Sequence, residues 1–317
     1  MNTKQLVLET LLGTSQFISG NKLASDLHLS RNAIWKAIHA LRQDGYTIDS
    51  HKHYGYKLVG ANTKLDKTLL YSALSDYPVF IYDSVDSTNT QAKLYADKHS
   101  DDVALFISKQ QTSGRGRFSR TFYSPKDTGI YLSVLYRSYH IKHLLHLTTP
   151  LSAVAVLRAI KKTTGITVSI KWINDLFYQH KKIGGILTES IMNVELNLIE
   201  YIVIGIGINV YHHKEIPQEL EHIIGYLSPQ TININQLILA IIDELLTLLD
   251  QLPDISFLDD YRQHCYILNQ QITIFPKSDS SYHAKAIGIT DNGELIIQKE
   301  DGTQHTLHYG EVSTRLD

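Results

Sequence analysis

Cysteine is nearly absent from this chain of 317 residues: Cys265 stands alone. One thiol cannot close an internal disulfide, so stability must come from packing, and the composition fits a reducing cytosol. Long apolar runs are missing as well. No stretch approaches the ~20 apolar residues of a membrane span. The opening Met1-Asn2-Thr3-Lys4 is polar and lacks the apolar core of a secretory signal. A cytoplasmic protein without membrane contact is expected. Two phosphate-binding signatures are absent too. There is no Gly-x-x-x-x-Gly-Lys-Ser/Thr loop. Gly205-x-Gly207 fails as a dinucleotide fingerprint, because the third glycine position is Val210 and Tyr211-His212-His213 starts no obvious helix. Histidine is frequent, at 16. Neither His140, His143 and His146 nor His51 and His53 gains a cysteine or carboxylate at zinc-ligand spacing.

What is present is ordinary in bulk and uneven in distribution. Hydrophobic residues make up 43% and charged residues 20%, which suits a globular protein of two or three domains. The net charge of -2 hides a split: residues 1–60 carry seven Lys/Arg against four Asp/Glu, and the remainder is acidic. A cationic head on an acidic body suggests a nucleic-acid module joined to something else.

The head reads as a winged helix-turn-helix. Leucines line one face of residues 4–12, and Ser19-Gly20 opens a short helix through Leu23, Ala24 and Leu27. A turn at His28-Leu29 follows. Ser30 then caps a helix with Ile34, Ala37, Ile38 and Leu41 at core spacing, ended by Gly45. Tyr46–Asp49 and Tyr56–Val59 alternate as two strands around the tip Ser50–Gly55. In such a module the second helix enters the major groove, so Ser30, Arg31, Asn32, Trp35 and Lys36 are candidate DNA contacts. His39 and the wing residues Lys52 and His53 stand near them. Trp35 is equally readable as half-buried packing.

From Leu65 to about Leu268 strands and helices interleave. Strands are predicted at 79–82, 103–109, 130–136, 168–172, 183–191 and 201–208, and helices at 89–97, 150–163, 236–249 and 256–264. The hairpin of Asp175–Tyr178 with Lys182–Leu187 implies a mixed sheet rather than a doubly wound one. The last fifty residues are short strands broken by Asp291-Asn292-Gly293 and Asp301-Gly302, a small β-barrel pattern. The expected architecture is α+β with three domains: 1–62 winged helix-turn-helix, 65–268 catalytic, and 269–317 small β-barrel.

The strongest chemical signal is Gly114-Arg115-Gly116-Arg117-Phe118-Ser119-Arg120, three guanidinium groups and two glycines in seven residues. Arginine forks match phosphate oxygens bidentately, so a polyanion is their natural partner. Its company sharpens the reading: Ser87-Thr88-Asn89 and Gln111 upstream, Lys171-Trp172-Ile173-Asn174-Asp175 and Lys181-Lys182-Ile183-Gly184-Gly185 downstream, then Gly205-Ile206-Gly207-Ile208-Asn209, and Arg315.

That ordered set resembles the biotin protein ligases, and with the N-terminal module the whole chain is similar to the bifunctional biotin protein ligase and biotin-operon repressor family. The resemblance implies a central domain of the class II synthetase/biotin ligase type. It implies formation of biotinyl-5'-AMP from biotin and ATP with Mg2+, transfer of biotin to a lysine of the biotin carboxyl carrier protein of acetyl-CoA carboxylase or related carboxylases, and repression at operator DNA by a homodimer that biotinyl-5'-AMP promotes. It assigns Lys182 and Arg115 to catalysis. Ser87, Thr88, Asn89, Gln111, Gly114, Arg115, Arg117, Lys182, Gly205 and Gly207 fall to biotin. Arg117, Arg120, Phe122, Lys171, Asn174, Asn209 and Arg315 fall to the nucleotide, and Asp175 to the metal. Three positions depart from the family pattern: Phe118-Ser119 replaces Arg-Gly, Phe122 stands for tryptophan, and Ile173 stands for proline. A lipoate ligase is disfavoured because its Arg-Arg-x-Ser/Gly-Gly-Gly segment is missing. A decayed ligase serving only as a biotin sensor is disfavoured because Lys182 and the arginines are intact.

Overall fold

Two serines punctuate the first fifty residues. In the computed structural model Ser19 Oγ accepts from Lys22 N and Ser30 Oγ from Ala33 N, both at 3.1 Å, so each caps the helix that follows. The structure describes all residues except 1, 15, 61–63, 138–143, 194–197, 214, 228–231, 277–279, 309–311 and 317, and leaves aside the side chains of 12, 60, 193, 198 and 312–316. The chain divides into two units, Met1–Ser72 with Gln230–Leu237, and Ala73–Pro229 with Ile238–Asp317.

In the first unit the caps separate α1 (Thr3–Leu12), α2 (Gly20–Asp26) and α3 (Arg31–Gln43). Ile34, Ala37, Ile38 and Leu41 of α3 are buried with Val7, Leu8, Leu11 and Leu23 in a core that belongs to this module alone. The wing follows as the antiparallel pair β1 (Thr47–His51) and β2 (Gly55–Gly60). Gly55, at φ 94°, closes its tip where a Cβ would overlap Ile18 O, so only glycine fits. A further helix, α4 (Lys67–Ala73), starts where Asp66 Oδ1 accepts from Leu69 N. Sequence periodicity does not mark it, because seven residues are too few to display a face.

The second unit carries, in chain order, β3 (Val79–Tyr82), α5 (Thr88–Ala96), β4 (Val103–Ser108), β5 (Gly129–Tyr136), α6 (Thr148–Thr164), β6 (Ser169–Lys171), β7 (Asp175–Tyr178), β8 (Lys181–Asn193) and β9 (Leu198–Asn209). Then come α7 (Ile234–Gln251), whose residues up to Leu237 belong to the first unit, and α8 (Phe257–His264). The seven strands form one sheet in the order β3-β4-β5-β9-β8-β7-β6. Among the described residues only β3 with β4 is parallel. The mixed α+β sheet expected from the hairpins is what forms.

Sheet register explains where the site lies. On one face Ala104, Phe106, Leu135, Tyr201 and Val203 pack against Ala92 and Ala96 of α5. The same face continues through Ser133, paired with Gly205, and through Gly207, paired with Gly185. Between Tyr131 and Leu187 on that face the glycines carry no side chains, and a bare stretch of sheet opens beside the first turn of α5. The opposite face is filled by Ile202, Ile204, Ile206 and Ile208, all buried.

At the C-terminus β10 (Gln271–Pro276), β11 (Tyr282–Ile289), β12 (Leu295–Gln298), β13 (Gln304–Leu307) and β14 (Val312–Leu316) make an antiparallel sheet in the order β13-β12-β11-β10-β14. Ile272, Ile274, Ala284, Ala286, Leu295 and Ile297 bury its inner face. The expected turns are present, with Gly293 at φ 76° and Gly302 at φ 83°. This module docks on the body of the second unit: Trp172 Nε1 donates to Gly293 O at 3.0 Å, and Arg262 Nη2 lies 2.6 Å from Asp291 Oδ1.

Candidate active site

The bare sheet forms the floor of a cavity of 360 Å³. Its reach from Ser87 to Lys182 depends on the arginine segment folding as a hairpin. Phe122 N donates to Gly114 O at 2.9 Å and Gly116 N to Arg120 O at 2.8 Å. A Cβ on Gly114 would come within 2.6 Å of Phe122 O, so the close strand approach needs glycine. Phe118 and Ser119 take φ 56° and 57°. The left-handed turn thus survives without the glycine of the family pattern. The Phe118 ring centroid lies 5.0 Å from the Arg117 guanidinium carbon and 5.9 Å from that of Arg120, within cation–π range.

The cavity is electrostatically lopsided. Arg115, Arg117, Arg120, Lys171 and Lys182 line it, and Asp175 is the one carboxylate among the lining residues. Burial lowers the Arg117 pKa, with the Asp175 charge opposing that effect. Arg117 Nη1 donates to Asn174 Oδ1 at 3.2 Å, while its buried Nη2 has no hydrogen-bond partner among the described residues. An unmet buried cationic donor is costly and calls for an acceptor on the ligand. Lys182 Nζ lies 2.6 Å from Asp175 Oδ1. Its strand edge is fastened to the 217–225 segment, with Lys182 N donating to Ile223 O and Gly225 N to Lys182 O. Asn174 is locked by Nδ2 donating to Ile186 O at 2.9 Å. The Trp172–Ile173 peptide is cis.

The other end of the cavity is neutral and polar. Ser87, Thr88 and Asn89 are all buried at the first turn of α5. Gln111 Oε1 accepts from Thr88 N at 2.9 Å and Thr88 Oγ1 at 3.1 Å, and Gln111 Nε2 donates to Ser124 Oγ at 3.0 Å. Ser133 Oγ sits 2.7 Å from Thr88 Oγ1 and 2.6 Å from Asn89 Oδ1. Ser87 is the helix N-cap yet makes no side-chain cap bond, which leaves its hydroxyl to the cavity. The glycine floor is needed: a Cβ on Gly205 would overlap the Asn89 amide, and one on Gly207 would come within 2.5 Å of the Phe122 ring.

The structure therefore gathers Ser87, Thr88, Asn89, Gln111, Arg115, Arg117, Arg120, Phe122, Lys171, Asn174, Asp175, Lys182, Gly205 and Gly207 around one cavity. Gly114 acts from behind, as the hairpin base. Asn209 ends β9 beyond the lining, its carbonyl accepting from Leu227 N. Arg315 lies on β14 opposite Thr273, and its side chain is outside the described residues. Sequence reading missed Thr121, Trp172, Phe177, Leu187 and Ile223 of the lining, and the supporting groups Ser133, Ser124 and Glu189. Ser133 had a signal, as the one polar residue inside the apolar run of β5.

Magnesium can be judged on the donor set. Among the described residues no group of three His, Cys, Asp or Glu could hold a metal. A single carboxylate, Asp175, suits Mg2+, which keeps waters and takes substrate phosphate oxygens. His140 and His143 lie outside the described residues.

In the N-terminal unit Arg31, Trp35, His39, Arg42, Ser50, His51 and Lys52 line a groove between α3 and the wing, with no carboxylate among its lining residues. Ser30, Asn32 and Lys36 are exposed on the start of the same helix. Trp35 is 56% exposed beside His39, so it is a surface group and not core packing.

Fold and cavity together define a helix-turn-helix protein joined to an enzyme of the biotin and lipoate ligase class. Residues 81–209 match the Biotin/lipoate A/B protein ligase family, residues 3–57 an HTH domain, and residues 267–315 the Biotin protein ligase C terminal domain. The chain is 32% identical over 305 residues to the bifunctional ligase/repressor BirA of Bacillus spizizenii, covering 91% of each chain. It is 28% identical over 322 residues to that of Escherichia coli, covering 99% of this chain and 98% of that one. A biotin protein ligase from Aquifex aeolicus in complex with biotin and ATP shares the fold over 76% of this chain and 99% of its own, with TM-score 0.65 and 24% identity. The chain belongs to the bifunctional biotin ligase/repressor family.

Proposed function

We propose that this protein forms biotinyl-5'-AMP from biotin and ATP, transfers the biotin to a lysine of biotin carboxyl carrier domains, and represses transcription when loaded with the adenylate. The observation that carries the reading is the two-ended cavity. A neutral, hydrogen-bonding end suits a flat ureido heterocycle, the glycine floor admits an apolar ring and chain, and the cationic end suits a carboxylate meeting a polyphosphate. In the first step a carboxylate oxygen attacks the α-phosphorus and pyrophosphate leaves. In the second a carrier lysine amine attacks the acyl carbon and AMP leaves.

Bringing one anion onto another requires cations aimed at the charge that builds on the α-phosphate. Lys182 and Arg115 take that role, with Arg117 and Arg120 on the nucleotide side. Asp175 pairs with Lys182 and is the residue that would hold Mg2+. The metal would supply charge neutralisation on the departing pyrophosphate. Phe122, Lys171, Asn174, Asn209 and Arg315 complete the adenylate site.

Residues 1–62 form the DNA-reading domain, 65–268 the catalytic domain and 269–317 the accessory β module. The groove residues and the exposed start of α3 meet operator DNA, as two heads of a homodimer. No helix of the described residues is long and apolar enough to cross a membrane, and the protein works in the cytoplasm. The test is direct: purified protein with biotin, ATP and magnesium should release pyrophosphate and label a biotin carrier domain. Absence of both products would overturn the reading.

A further inference from the structure

Asn89 has an amide whose two ends look alike in shape and opposite in chemistry. Its Oδ1 accepts, its Nδ2 donates, and a half-turn would exchange them. Glu189, on β8, decides between the two. Asn89 Nδ2 donates to Glu189 Oε2 at 2.8 Å and reaches Leu187 O at 3.4 Å. Both of those oxygens can only accept. A flipped amide would set Oδ1 against both of them and leave Nδ2 facing Ser133. The observed orientation therefore places Oδ1 beside the Ser133 hydroxyl and over Gly205, at the floor of the cavity.

The carboxylate is itself held in place. Lys93 Nζ, one turn along α5 from Asn89, lies 2.8 Å from Glu189 Oε1. Burial pushes the Glu189 pKa up, yet the hydrogen bonds from Lys93 and Asn89, with the charges of Lys93 and Arg115, bring it below the ordinary range. The group stays an acceptor. At the far side Ser133 has one proton and two acceptors in reach, Thr88 Oγ1 and Asn89 Oδ1. When the Thr88 hydroxyl donates to Gln111, one acceptor lone pair at this end is short of a donor.

We infer that Glu189 is a positioning residue for the ureido end of the substrate. By fixing the Asn89 amide it makes the closed end of the cavity an acceptor surface, one that a ligand N–H completes. The inference rests on the ligase reading and adds a residue that touches neither substrate nor reacting atoms.

The experiment is steady-state pyrophosphate release with biotin and ATP varied separately, alongside melting temperature. Glu189→Leu lets the amide flip and should raise KM for biotin about tenfold, the scale of one misaligned buried hydrogen bond. Its KM for ATP and kcat should stay within about twofold. Glu189→Gln still offers Asn89 an acceptor and should recover most of the biotin affinity. Glu189→Ala serves the same comparison should the leucine variant not fold. Combined with Ser133→Ala, the Glu189 variant should lose less than the product of the single effects, because both act through one amide. Unchanged biotin KM in the leucine or alanine variant, equal shifts for biotin and ATP, or a glutamine variant as impaired as leucine would each overturn the inference. A wild-type protein that releases no pyrophosphate would instead remove the ligase reading beneath it.

Discussion

Lys182 shows how little a residue need contribute to the fold when the role proposed for it is chemical. Its ion pair with Asp175 is short, at 2.6 Å, but the two side chains are 31% and 25% exposed. Such a pair contributes little to stability because water competes for both charges. Its value in adenylate formation is larger, since it would meet charge that appears only in the transition state. Lys182→Ala should lower pyrophosphate release by at least ~10²-fold, the scale of losing one electrostatic stabiliser, with little change in melting temperature. Near-normal release would sink the assignment. Residues of this kind were legible in the sequence because cations and glycines cluster along the chain. Glu189 was not, and Ser133 showed only as a polar break in an apolar run, because their meaning arises from strand register: Ser133 faces Gly205 only when β5 and β9 pair as they do. Phe118 was legible as a departure and not in its consequence. A lost charge and a lost glycine became a ring within reach of two guanidinium groups and a left-handed turn held without glycine.

At the level of elements the periodic ones were read well and the short ones poorly. The α3 helix shows its four core positions and its serine cap openly, and the short apolar runs of β5 and β9 announce strands. The helix α4 and the strand β14 escaped, each too short or too polar to carry a period. Asn235 also hid its role: it is fully buried in the first turn of α7, accepts from Asp66 N at 2.8 Å and donates to Lys64 O at 2.9 Å. That pair of bonds sets where the chain can be cut. A truncated protein beginning at Asn62 keeps both and should retain ligation with wild-type melting behaviour. One beginning at Asp66 lacks the Lys64 carbonyl, leaves Asn235 Nδ2 without that acceptor and should be less stable by about 1–3 kcal/mol, read by denaturant midpoint. Neither should bind DNA. In the full chain Arg31→Ala or Lys36→Ala should weaken operator binding and flatten its dependence on salt, because fewer counterions are released. Operator binding by either shortened chain would refute the assignment of α3 and the wing.

The whole molecule poses a question that neither end answers alone. One helix-turn-helix reads one half-site, so tight and specific repression wants two heads related by a two-fold axis. On the proposed function the signal for bringing them together comes from the catalytic unit. There, five cations and one carboxylate line a single cavity, and Arg117 Nη2 is buried with no partner among the described residues. Like charges held this close favour opening of the hairpin, against its backbone bonds, the Arg117–Asn174 hydrogen bond and the Phe118 contacts. On the proposed function biotinyl-5'-AMP would supply the missing anion and occupy the glycine floor at the same time, and so would favour the closed arrangement over any open one. A ligand can shift an equilibrium only by its differential affinity for the two states, and this ligand has both charge and area to provide it. The expected outcome is a monomer at micromolar concentration that becomes a dimer when biotin and ATP are added together. Biotin alone lacks the phosphate and should have a smaller effect. Light scattering reads the mass directly under each condition. Equal masses with and without the two substrates would mean a constitutive dimer or a permanent monomer, and repression would then have to be controlled by something other than adenylate-driven assembly.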